Sequence, residues 1–132
     1  MNDLKTKALE LINAWNAQDL DLLAQLYGEK IGFHDPLLGK VIKGEEILAY
    51  AKSIYAAFPD LEFVIKNVAV GDQVVMMEWS QNGTNEGAIF GQAATRRYIE
   101  IPAVSVLSFK NDEIVLHQDY WDMKKLQKDL FG

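Results

Sequence analysis

The stretch that decides the fold is Leu61-Glu-Phe-Val-Ile-Lys-Asn-Val-Ala-Val70, then Gly71-Asp72, then Gln73-Val-Val-Met-Met-Glu-Trp-Ser-Gln81. From Leu61 onward the apolar period is close to two, the period of a strand that turns alternate side chains to opposite faces. Gly71-Asp72 between the runs predicts a hairpin turn, so the two should pair antiparallel. Upstream of Leu61 the period is mostly helical, and downstream it stays near two. Helices first and antiparallel strands after them is the order of an α+β domain whose sheet packs on segregated helices.

Toward the N-terminus, Pro59-Asp60 breaks a helix in which Ile47, Leu48, Ala51, Ile54, Tyr55 and Phe58 recur at helical spacing after Gly39 to Gly44. Lys30 to Asp35 alternates, with Ile31, Phe33 and Asp35 on one face, and Pro36 ends this short strand. Leu22, Leu23, Leu26 and Tyr27 give a short helix capped by Asp19 and stopped at Gly28. Leu4, Ala8, Leu11, Ile12 and Trp15 give the first helix, with Asn2 or Asp3 to cap its free amides. Toward the C-terminus, a polar stretch from Asn82 to Arg96 leads into a long run, Arg97 to Phe109, a turn at Lys110 to Glu113, and a closing run, Ile114 to Trp121. Pro102 inside the long run predicts a bulge or bend. Met123 to Leu130 closes the chain as a short helix with Leu126 and Leu130 facing inward. No repeat, linker or low-complexity segment interrupts this order, so residues 1–132 read as one domain. A strongly bent sheet around the long helix would leave a cone with a closed end and a mouth.

At 132 residues, folding buries about two-thirds of the surface of the extended chain, enough for a core without staples. Cysteine is absent, which excludes disulfides and thiolate metal sites. With 13 Lys plus Arg against 19 Asp plus Glu, the net charge of −6 opposes phosphate-backbone binding, and no basic stripe is present. Nucleic acid is not an expected partner. The charged start, Met-Asn-Asp-Leu-Lys-Thr-Lys, and the lack of a membrane-length apolar run predict a soluble, cytoplasmic chain with no membrane partner.

The closing run places His117, Asp119 and Trp121 in step with Val115 on one face. Acid/base chemistry fits an imidazole and a carboxylate that look into one cavity; a pair on an exposed sheet face fits the same spacing. Asp35, in step with Ile31 and Phe33, is the second candidate. Burial would raise its pKa for proton transfer near neutral pH, whereas an Asx turn before Pro36 would tie it to local amides. His34, one residue out of step, belongs at a pocket rim. Trp15, Phe58, Phe63, Trp79 and Phe90 line an apolar cavity or fill a core, and large aromatic side chains do either. A phosphate loop, a His-Glu-x-x-His helix and a nucleophile elbow are all missing. Two histidines and scattered acids show no ligand spacing, so neither a metal nor a cofactor is expected.

Trp15-Asn-Ala-Gln-Asp-Leu-Asp21, Phe33-His-Asp-Pro36, Gly44 with its helix, Ala57-Phe-Pro-Asp-Leu61, Trp79 with Gly83-Thr84 and Gly87, and Asp119-Tyr-Trp-Asp122 together resemble the SnoaL-like polyketide cyclase family. That family sits in the nuclear-transport-factor-2-like superfamily, with ketosteroid isomerases and limonene-epoxide hydrolases. The resemblance implies an α+β fold: a cone-shaped barrel of a strongly bent, mostly antiparallel sheet wrapped around N-terminal helices. It also implies a homodimer associating through the sheet. By position, Asp119 resembles the aspartate that the cyclases use as acid/base in an aldol ring closure, and Asp35 resembles the isomerase base. The isomerase's oxyanion-hole tyrosine and aspartate fall at Leu11 and Ser105, and the hydrolase's Arg and second Asp fall at Trp79 and Gln81. Neither set is complete in this chain. The implied activity is cofactor-independent acid/base catalysis on a small hydrophobic carbonyl compound, of cyclase or isomerase type. Asp119 would shuttle the proton, His117 would tune it, and Asp35 or His34 would assist at the mouth. The alternative is a dimeric ligand-binding or accessory protein without catalysis.

Overall fold

The structure, a computed structural model, describes residues 3–132. The cap expected on Asn2 or on the Asp3 side chain lies outside the described residues. Helices α1 (Asp3–Ala17) and α2 (Leu20–Tyr27) precede strand β1 (Gly32–His34) and helix α3 (Glu45–Ala57). Strands β2 (Glu62–Gly71), β3 (Val74–Thr84), β4 (Tyr98–Lys110) and β5 (Glu113–Trp121) follow, and helix α4 (Met123–Phe131) closes the order. The strands form one sheet in the order β1-β5-β4-β3-β2, antiparallel except where β1 runs parallel to β5. The sheet is curled but not closed, with β1 and β2 at its edges.

Burial explains the wrapping. Ala8, Leu11, Ile12 and Trp15 of α1 pack in one cluster with Val75, Met77 and Trp79 of β3. A second cluster joins Phe58 and Leu61 to Ile99 and Ile101 of β4, with Leu126 and Leu130 of α4 laid against them. Each such large side chain removed from water contributes about 1.5–3 kcal/mol. Two caps hold the shorter helices: the Asp19 carboxylate accepts from the Leu22 amide of α2, and Asp122 accepts from the Lys125 amide of α4.

Several expectations shift. The hairpin turn is Asp72-Gln73, one residue later than expected, with Gln73 in the left-handed region at φ 54°. Strand β3 continues past Gln81 to Thr84, because Gly83 and Thr84 still pair with Ile99 and Tyr98. Pro102 makes no bulge and sits in continuous register with Ser80. The ladder to β5 begins only at Ala103, so Pro102 meets no β5 partner whose hydrogen bond it would break. The bulges lie elsewhere. One extra residue in β2 shifts the register between Ile65 and Asn67, and another in β5 sits between Ile114, opposite Phe109, and Leu116, opposite Ser108. The second corrects the face expected for Val115: that residue is exposed, and Ile114 is buried in its place. Beyond the bulge, His117 and Asp119 share one face as the alternation predicts, and of the two faces left open it is the inward one. Among the described residues no helix is long and apolar enough to cross a membrane.

Candidate active site

Asp119 and His117, two residues apart on β5, touch: His117 Nε2 lies 2.7 Å from Asp119 Oδ1. The Trp15 indole N–H can only donate, and it meets the Tyr27 hydroxyl at 2.8 Å; the Tyr27 O–H then has one acceptor in reach among the described residues, His117 Nδ1 at 2.7 Å. His117 therefore accepts at Nδ1 and donates from Nε2 to Asp119. On the other side, the Trp79 indole N–H donates to Ser105 Oγ at 2.8 Å, and the Ser105 hydroxyl donates to the same Oδ1 at 2.5 Å. Ser105 is placed for this by register, since it stands directly opposite Asp119 on β4. Two donors thus fix Oδ1 as a carboxylate oxygen, while no donor among the described residues meets Oδ2. His117 is 1% exposed and Asp119 7%. In such surroundings a charge-assisted hydrogen bond is stronger than in water. Burial raises the Tyr27 phenol well above its ordinary pKa, which keeps it a donor to His117.

Asp35 follows β1 and is also buried, with 5% of its surface exposed. The two sequence readings of it hold together. Its Oδ1 accepts the Leu37 amide at 2.8 Å in an Asx turn, and its Oδ2 accepts the Tyr50 hydroxyl of α3 at 2.5 Å. Burial pushes its pKa up to about 6; the Asp119 charge adds to this, and the hydrogen bonds from Tyr50 and Leu37 oppose it. Burial and the Asp35 carboxyl in turn push the Tyr50 phenol far up.

Asp35, Tyr50, His117 and Asp119 share the lining of a cavity of about 40 Å³ with Trp15, Phe58, Phe63, Trp79 and Trp121. Phe63 and Trp79 pack with ring centroids 4.6 Å apart. Two of the named residues lie outside this lining. His34 faces away, its Nε2 donating to the Leu38 carbonyl at 2.9 Å and its Nδ1 accepting from the Gln118 amide at 2.9 Å. Phe90 is 37% exposed, on the segment between β3 and β4, where it packs edge-on against Phe131. Tyr27 and Tyr50 complete the site without having been singled out, and with them stands Ser105, which the resemblance had named only as the replacement of an isomerase aspartate. Ser105 alone leaves a trace in the sequence, as a polar residue in the otherwise apolar alternation Ile99, Ile101, Ala103, Leu107. Among the described residues no group of three or more His, Asp or Glu side chains is placed to hold a metal ion.

The curled sheet packed on its N-terminal helices is a ketosteroid-isomerase-like α+β fold. Solved structures share it. IdmH, a candidate polyketide cyclase from Streptomyces antibioticus, superposes with a TM-score of 0.82 at 20% identity, covering 98% of this chain and 99% of its own. A candidate SnoaL-like polyketide cyclase from Jannaschia sp. CCS1 gives 0.85 at 16% identity, over 98% and 92%. AclR, a candidate hydroxylase from Streptomyces galilaeus, gives 0.83 at 23% identity, over 98% and 82%. No curated protein matches the chain in sequence. Residues 6–130 match the SnoaL-like polyketide cyclase family, and the chain belongs to it.

Proposed function

We propose that the protein catalyses cofactor-independent acid/base chemistry, of cyclase or isomerase type, on a small hydrophobic carbonyl compound. The observation that carries this reading is Asp119, whose Oδ1 is anchored by His117 and Ser105 while Oδ2 is left without a donor beside an apolar cavity. In the proposed step, Asp119 Oδ2 takes a proton from the carbon next to the carbonyl, and the electrons of that C–H bond move into an enolate. Asp35, near half-protonated around pH 6, supplies a proton to the enolate oxygen, and Tyr50 holds its carboxyl in place. In a cyclase the enol carbon then attacks an internal carbonyl, its O–H proton returning to Asp35 while the proton held by Asp119 passes to the new alkoxide; in an isomerase, where the enol is conjugated with a C=C bond, Asp119 returns the proton to the far carbon and the O–H proton goes back to Asp35. His117 and Trp79 act through the carboxylate and Ser105, as positioning residues. His34 joins β1 to β5 through Gln118 rather than meeting a ligand. The rival reading, a dimeric binding or accessory protein, leaves the joint anchoring of Asp119 Oδ1 by His117 and Ser105 without a use.

Exchange of the α-protons of 2-heptanone in D2O, followed by 1H NMR, tests the step without knowledge of the natural substrate. Wild-type protein should accelerate it, and Asp119→Asn should remove the acceleration with its urea unfolding curve little changed. Exchange by Asp119→Asn at the wild-type rate would sink the assignment.

A further inference from the structure

The cavity beside Asp119 is small, about 40 Å³. Its wall is shared. Leu37, Tyr50, Ile54 and Ile89 line both this chamber and a more open groove of about 360 Å³ between α3 and the Ala88–Gly91 turn. The two spaces are therefore neighbours separated by side chains, and only the inner one contains Asp119.

Two further observations say what each space would hold. Gln81 lines the chamber, and its Nε2 is buried without a hydrogen-bond partner, alone in this among the side-chain nitrogen and oxygen atoms of the described residues. A buried donor left unpaired is costly, and a ligand acceptor would relieve it. At the groove, Phe90 and Gly91 are the central residues of a tight turn closed by the Ile89–Gln92 bridge, with φ 53° and 70°. Such a turn favours Asn or Gly, and a bulky aromatic residue in the left-handed region is strained. Core burial does not repay this, because Phe90 is 37% exposed. What the strain achieves is an aromatic face on the groove.

We propose that the ligand is an amphiphile with a compact carbonyl head and a single apolar arm. The head enters the chamber and accepts a hydrogen bond from Gln81; the arm lies in the groove against Ile89 and Phe90. Only the choice of a carbonyl as the acceptor rests on the proposed chemistry.

A ladder of 2-alkanones, from 2-butanone to 2-undecanone, tests it by tryptophan fluorescence, which reads binding and not turnover. Affinity should rise by about fourfold for each added methylene until the groove is full. Phe90→Ala should flatten this rise while leaving 2-butanone unchanged, and Ile89→Ser, at a residue that lines both spaces, should flatten it too. Gln81→Leu should weaken every member by about fivefold and leave the rise intact. 6-Undecanone, which carries an arm on both sides of its carbonyl, should bind at least tenfold worse than 2-undecanone. The proposal is overturned by absence of saturable binding, by a flat series in the wild type, by equal binding of the two undecanones, or by a rise that both loop variants retain. Graded binding without α-proton exchange would leave this inference standing and remove the catalytic one; exchange with a flat series would do the reverse.

Discussion

At the scale of residues, the site separates two carboxyl groups by their surroundings. Asp119 has donors on one oxygen, whereas Asp35 is buried beside another negative charge, which favours its neutral form. That separation has a cost in stability. The folded pKa of Asp35 is about 6 against an ordinary 3.8, so between these values the folded state holds a proton that the unfolded chain has released. Stability therefore falls as pH rises from about 4 to 6, by on the order of 3 kcal/mol from this group. Asp35→Asn should match wild type in urea unfolding at pH 4 and exceed it increasingly toward pH 7. A difference that does not change with pH would show that Asp35 carries no such shift. His117 and Asp119 were legible because both lie on one strand, where period two puts them side by side. Tyr27 and Tyr50 were not, because each reaches its partner from an element remote in sequence, 90 and 15 residues away, and Ser105, 14 residues from Asp119, was named only through the resemblance and without its hydrogen bond.

At the scale of elements, the helices and the hairpin are set by local signals and fall within a few residues of their expected bounds. The bulges are not, because an extra residue such as Val115 carries no signature of its own and shows only as a break in register. The segment from Asn82 to Arg96 was read as polar connection, and beyond β3 it is held by backbone hydrogen bonds to Arg97 and Ala57 and by one buried side chain. Asn85 is fully buried; its Nδ2 donates to the carbonyls of Ala57 and Gly87, and its Oδ1 accepts from the Thr95 amide and hydroxyl. Gly87 allows the approach, since a Cβ there would collide with the Ala56 carbonyl. This network ties the turn bearing Ile89 and Phe90 to the end of α3. Asn85→Ala leaves buried polar groups unpaired and should cost about 3 kcal/mol, read from the urea midpoint. A loss under about 1 kcal/mol would mean that water satisfies those groups instead.

At the scale of the molecule, the two faces of the sheet carry different side chains. The alternation that turns Asp119 inward turns Tyr120 outward, and Val104 stands opposite Tyr120 on β4. Met76, Val104 and Tyr120 are 47%, 39% and 58% exposed on this outer face, and Val64 of the edge strand β2 is 40% exposed. Apolar side chains gathered on one face of a sheet mark an interaction surface, and a second copy related by a twofold axis covers it with a self-complementary patch. We propose that the protein dimerises there. Val104→Glu puts a second carboxylate beside Glu78, its neighbour on β3, in each copy. Sedimentation equilibrium should give a dimer for wild type and a monomer for this variant, and equal masses would remove the proposal. Because the substitution points away from the chamber, the monomer should still bind 2-undecanone as wild type does. If binding fell with the dimer, the two faces would be coupled through the strands, and the sheet would transmit between them rather than separate them.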